Sequence, residues 1–267
     1  MEQTLVTARD RAAETDQYTL GQIVGIWALV SLPMALLAWV VAPALVPISP
    51  LHPGITYWLL MIAGMGWQFV VSLIILYREL DTLRWSVVRE RIWLGMPRDP
   101  KTGQPNPKLF WWLIPAALFS FVVMFFLADI LDAPMAWLFP GLQMPAYSDI
   151  SKLNDPQFQG QWWIMGVTLV SFALNYFVGE ELLFRGVLLP KMQGTFGKWD
   201  WVANAVLFGL YHLHKVWMIP SIIVGSLALT WPSRRFRSNW FAVIVHGIEG
   251  LPILVLVPLI LSGLAAS

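Results

Sequence analysis

Glu180, Glu181, Arg185, His212, His214, Lys215, His246 and Glu249 lie in or at the ends of stretches otherwise apolar enough to be buried in lipid. Carboxylates and imidazoles are the side chains that move protons, and together they can activate a water for hydrolysis. A charged group inside a bilayer costs at least about 2.5–3.5 kcal/mol on insertion scales, so this concentration in one half of the chain points to an internal polar site.

GEELLFRG holds the first group. Glu181 and Arg185 are four apart, on one helix face and in the favourable acid-before-base order, which suits a partly buried salt bridge. Glu180 points about 100° away and has no partner at helical spacing. An unpaired carboxylate in a dry site is suited to take a proton from water, the work of a general base. FGLYHLHK follows, with Phe208 and His212 on a shared face, so that the ring can wall the imidazole off from lipid. A lone helical histidine is more often structural than catalytic, but the intramembrane position sets a catalytic role against that on equal terms. His214 is turned by about 200° from His212 on a regular helix, so the two do not reach one ligand, and with Lys215 it marks a helix end. VIVHGIEG is last, with Glu249 three residues after His246 and close to the same face. Such a pair could ligate metal, although two ligands do not make a site.

These groups need helices to hold them. A bilayer core about 30 Å thick takes about 20 mostly apolar residues to cross. Leu20 to Val46, Ile55 to Tyr77, Leu109 to Leu131 and Gln161 to about Pro190 qualify, and Trp201–His214 with Val216–Trp231 reads as a shorter helical hairpin. Trp240 to Leu264 is the last span, interrupted by Pro252 and Pro258. The expected fold is an all-α, polytopic membrane helix bundle with about seven spans, or eight if the chain turns near Pro252. Counting inward from the cytoplasmic end, Glu180, His212 and His246 fall about 10–18 Å deep, in neighbouring layers of three different helices.

Arg78, Arg84, Arg89, Arg91, Arg98, Lys101 and Lys108 share one loop, Lys191 and Lys198 a second, and Arg234, Arg235 and Arg237 a third. Seven alternating spans put all three loops on one side, which the positive-inside rule makes cytoplasmic together with the N-terminus. The opposite loop carries Lys152 against Asp132, Asp149 and Asp155. Leu83, Val87 and Val88 recur at helical spacing within LDTLRWSVVRERIWLG, which is either a helix on the cytoplasmic surface or an ordinary basic loop. TGQPNP at Thr102–Pro107 is a turn-rich linker.

Composition narrows the class further. The 267 residues are 57% hydrophobic and 12% charged, about half the charge of a soluble domain, which excludes a soluble globular enzyme and a disordered chain. Sixteen Trp suit a protein that anchors many helix ends at the interface. A net charge of +1 shows no nucleic-acid footprint, and the absence of Cys excludes disulfides and thiol chemistry. Residues 1–19 are polar and of mixed charge, unlike a cleavable signal peptide. The chain divides into this polar cytoplasmic N-terminus, N-terminal spans over 20–131 with their basic loop, and a helical core over 161–264.

Taken together, the three charged segments resemble the CPBP family of intramembrane proteases, the type II CAAX prenyl endopeptidases and their bacterial Abi relatives. Glu180, Glu181 and Arg185 match the family's EExxxR, Phe208 and His212 its FxxxH, and His246 the start of its HxxxN or HxxxD. The resemblance implies that Glu180 and His212 activate a water, that His246 stabilises the oxyanion, and that Glu181, Arg185, Phe208 and Glu249 support them. It implies a metal-free, glutamate-activated water ahead of Zn held by Glu180, His212 and His246. The substrate would be a membrane-associated protein or peptide, prenylated or CAAX-like, and the setting the plasma membrane of a prokaryote. Where the family carries Asn or Asp four residues after the last His, this chain has Gly250. Glu249 or an ordered water then takes that place, or the protein is a weak or inactive member. An ion-coupled carrier and a non-catalytic binding protein or chaperone are the competing readings.

Overall fold

The computed structural model describes residues 17–149 and 154–264. Most of the polar N-terminal segment, residues 1–16, and Lys152 lie outside them. Regular structure among the described residues is helical, apart from one isolated bridge between Arg98 and Pro105. Six helices are long and apolar enough to cross a bilayer: α1 (Leu20–Ile48), α2 (Pro53–Leu80), α4 (Pro107–Leu138), α5 (Trp163–Lys191), α7 (Leu213–Phe236) and α8 (Trp240–Ser262). Among the shorter helices of the described residues are α3 (Trp85–Arg91) and α6 (Asp200–Tyr211). The protein is an integral, multi-pass membrane helix bundle.

The first arm of the expected hairpin is α6, whose 12 residues span about 18 Å, short of a bilayer core on their own. It packs along α7, and Gly209 allows the close approach, because a Cβ there would run into Ile223. No turn occurs at Pro252. Helix α8 runs through both Pro252 and Pro258 without a break, so the eight-span alternative is not realised. Intramembrane prolines are tolerated where neighbouring groups take up the freed backbone.

Local chemistry sets the helix ends. Thr19 and Gln22 form a capping box at the start of α1, and His52 caps α2 ahead of Pro53. Asp81 ends α2 in the left-handed conformation, with φ of 53°. Helices α1 and α2 meet closely at Gly64, where a Cβ would lie 2.8 Å from Met34 Sδ. Tryptophan plays a second part besides interfacial anchoring. The indole N–H groups of Trp27 and Trp39 on α1 donate to the carbonyls of Leu207 and Leu213, 2.9 and 2.8 Å away, and so tie α1 to the ends of α6 and α7. Trp58 and Trp67 donate to Ser171 Oγ and the Leu29 carbonyl.

The basic loop does contain the helix that its periodicity suggests. Val88 and the following Ile92 are buried, while Trp85 is exposed. Arg91 turns inward to Glu79, whose other oxygen accepts from the buried Tyr18 hydroxyl. Burial first, and then the neighbouring Glu79, push that phenol well above its ordinary pKa. In the linker beyond, the Asp99 carboxylate accepts from the backbone N–H groups of Lys101 and Thr102, which hold its pKa below the usual range. Outward-facing side chains of α4, among them Ile114, Leu118, Phe125, Phe126 and Ile130, give the bundle an exterior suited to lipid.

Candidate active site

Helix α5 is not a regular α-helix where the acidic pair occurs. Leu174–Val178 and Leu182–Leu188 are both π-helical, with Gly179 and the two glutamates between them. Gly179 adopts φ of −94° and ψ of −86°, and a Cβ there would strike the carbonyl oxygen of Leu174, to which its own N–H donates at 2.9 Å. Only glycine fits that contact. Gly179→Ala is therefore expected to displace both glutamates and to lower the yield of folded protein, measured by monodisperse recovery in detergent.

Widened π turns recur at functional sites and leave backbone carbonyls short of donors. Here side chains supply them. Asn239 Nδ2 donates to Glu181 O (3.3 Å) and Asn204 Nδ2 to Phe184 O (2.7 Å). Arg91 donates from its two terminal nitrogens to Gly186 O (3.0 Å) and Val187 O (3.1 Å). A loop helix, α6 and the start of α8 thus brace the segment that carries Glu180 and Glu181. Sequence reading passed over Arg91 as loop charge and did not single out Asn204 or Asn239. An asparagine inside an apolar helix is the available signal for Asn204 alone, since Asn239 precedes α8.

The three principal candidates come together. Glu180 Oε1 lies 3.9 Å from His212 Nε2, and Glu180 Oε2 lies 4.0 Å from His246 Nε2. All three are enclosed, with side-chain exposures of 5% for Glu180, 9% for His212 and 12% for His246. Each imidazole is held by its other nitrogen. His212 Nδ1 is 2.8 Å from the Phe208 carbonyl and His246 Nδ1 is 2.8 Å from Glu181 Oε1. Carbonyl and carboxylate oxygens only accept, so both Nδ1 atoms carry protons and both Nε2 atoms are turned toward Glu180.

Glu181 therefore does more than balance a charge. Its Oε1 takes a hydrogen bond from Arg185 Nη1 at 3.1 Å as well as from His246, and both members of the ion pair are fully buried. Glu180 and Glu181 follow each other in helical backbone between the two π segments. Both carboxylates approach His246. Phe208 is also placed differently from the expected lipid shield. It is buried, carries the Arg185 guanidinium 3.9 Å above its ring, and stands edge-on to His212 and His246 at 4.9 and 5.9 Å. That contact offsets part of the cost of burying the cation.

His214 departs from the sequence reading. The helix breaks at His212, Lys215 adopts φ of −136°, and His214 is buried with its ring stacked on His212 at 5.3 Å. A rotation of 200° presumes a helix that has already ended. The ammonium of Lys215, which the sequence reading left at a helix end, acts electrostatically on Glu180 and on both of these histidines.

Glu249 does not join the trio. It accepts a hydrogen bond from Ser120 on α4 and lines an apolar groove of about 550 Å³ between α4 and α8. Gly250 is covered by a residue that the sequence reading did not single out. A Cβ there would overlap Cε2 and Cζ of the Tyr176 ring.

Among the described residues, no three His, Asp or Glu side chains are grouped closely enough to hold one ion. Zinc binds nitrogen and oxygen at about 2.0–2.2 Å, and Glu180 meets the two histidines through different oxygens. As placed, Glu180, His212 and His246 do not make a zinc centre.

No curated protein and no solved structure matches the chain. Residues 160–250, which carry the three motif segments, match the family model described as type II CAAX prenyl endopeptidase Rce1-like, which supports the CPBP resemblance of those segments.

Proposed function

We propose that the protein is an intramembrane endopeptidase that hydrolyses a peptide bond of a membrane-associated, CAAX-like protein or peptide. The observation that carries this is the Glu180 carboxylate facing two imidazole Nε2 atoms at 3.9 and 4.0 Å, each ring fixed through its Nδ1. Both separations exceed a hydrogen bond and suit one water held between carboxylate and imidazole.

In this reading Glu180 accepts a proton from that water as its oxygen attacks the carbonyl carbon. His212, with its lone pair at Nε2, accepts the water's other hydrogen and aligns it. His246, protonated at Nε2, donates to the oxyanion. Collapse of the tetrahedral species breaks the C–N bond, and the proton held by Glu180 passes to the leaving nitrogen, giving a carboxylic acid, which keeps the water's other hydrogen, and an amine. Glu181 and Arg185 act through His246, and Phe208 keeps the cavity dry. The catalytic core is assigned to 161–264. We assign the N-terminus to the cytoplasmic side on the basic residues of the loops, and the membrane to the plasma membrane of a prokaryote on the family resemblance.

The test is purified protein in lipid vesicles, given farnesylated and unmodified anchored peptides ending in a CAAX-like tetrapeptide, with released fragments identified by mass spectrometry. Release from the farnesylated peptide alone assigns a prenylated substrate, and release from both assigns a broader membrane-bound class. Cleavage is expected to survive prior dialysis against a chelator, because the trio as placed does not form a zinc centre. Binding without release from either peptide would favour the non-catalytic reading.

A further inference from the structure

Tyr176 is the polar group closest to the space that a side chain at position 250 would fill. It lies one π turn before the acidic pair, on the segment Leu174–Val178. Its ring stands edge-on to His246 at a centroid distance of 4.7 Å and an interplanar angle of 90°. A Cβ at Gly250 would overlap Cζ, the ring atom that bears the hydroxyl. Its hydroxyl makes no hydrogen bond to any described residue, and the carboxylates of Glu180 and Glu249 both lie close enough to act on it electrostatically. Phe172 packs on the ring at 4.7 Å, so the phenol is held in place rather than free to swing into lipid. The other polar candidate, Glu249, is engaged by Ser120, and a carboxylate would repel an oxyanion.

We infer that the Tyr176 hydroxyl is a second hydrogen-bond donor to the oxyanion beside His246, entering the site from α5 through the space left open by Gly250. The inference rests on the hydrolytic reading above. A phenol offers one O–H donor and stays neutral at working pH, which suits it to charge that develops only in the transition state. The pairing of Tyr176 with Gly250 also follows from volume: the ring and a side chain at 250 cannot both be accommodated.

The experiment measures kcat and KM for wild type, Tyr176→Phe, Tyr176→Ala, Gly250→Asn, the double variant Tyr176→Ala/Gly250→Asn, and Glu180→Gln. Tyr176→Phe keeps the ring and its packing, so loss of the donor alone should lower kcat about 10²-fold at nearly constant KM, the effect of removing one oxyanion donor. Gly250→Asn alone should be impaired by the clash. The double variant, with room for the amide, should regain at least about 10-fold over Tyr176→Ala, a non-additivity expected only of residues that share one site. Wild-type kcat in Tyr176→Phe, or a change confined to KM, overturns the inference. So does a double variant no faster than Tyr176→Ala. If Glu180→Gln is inactive while Tyr176→Phe is unaffected, only this inference fails. If Glu180→Gln cleaves normally, the hydrolytic reading fails with it.

Discussion

Glu180→Gln should leave the protein folded and extinguish peptide cleavage. The amide keeps the shape of the carboxylate but cannot take a proton from water, and loss of a positioned general base typically costs about 10²–10⁴-fold. Little stability should go with it. Glu180 makes no hydrogen bond to another described residue, its two histidine neighbours being 3.9 and 4.0 Å away. The measurement is cleavage rate at equal amounts of monodisperse protein, with thermal unfolding in parallel. A variant that loses yield as fast as it loses rate would show that the acidic cluster is only structural.

Glu181→Gln should behave in the opposite way. Its Oε1 accepts from both Arg185 and His246, and the pair is fully buried. Removing one partner of a buried ion pair typically costs about 3–5 kcal/mol, because the other charge is left unmatched. Arg185 is poorly placed to adapt, since Nε and Nη2 have no hydrogen-bond partner among the described residues and its guanidinium is fixed over Phe208. Recovery from the membrane should fall steeply and the unfolding temperature should drop. The small folded fraction should also be slow, because His246 loses the acceptor that sets its ring. Equal yields for the two glutamine variants would sink this division of labour.

Much of this arrangement can be read from residues alone, for a physical reason. Charge in lipid is costly, so Glu180, His212 and His246 stand out against their surroundings, and hydropathy separates the long spans. What escapes is whatever depends on departures from the regular helix. The π turns on either side of the acidic pair are invisible to a pattern that assumes a regular helix. The same assumption sends His214 away from His212, whereas the chain has left the helix between them. Tyr176 is hidden differently: an aromatic residue in an apolar span reads as packing until the empty place at Gly250 is seen. Arg91 is hidden by its loop, where basic residues already have an explanation in topology.

The braces on α5 bear on how the protein is made. Arg91 is synthesised before α5, so donors for Gly186 and Val187 are waiting when that helix enters the membrane. Asn204 and Asn239 emerge later, and until then the carbonyls of Phe184 and Glu181 lack their side-chain donors. His246 comes later still. A nascent chain halted before α8 would hold Glu181 and Arg185 in lipid with their neighbours missing, a state open to recognition by membrane quality control. The arrival of α8 thus brings both His246, which completes the trio, and Asn239 at its start, which secures the segment that carries Glu180.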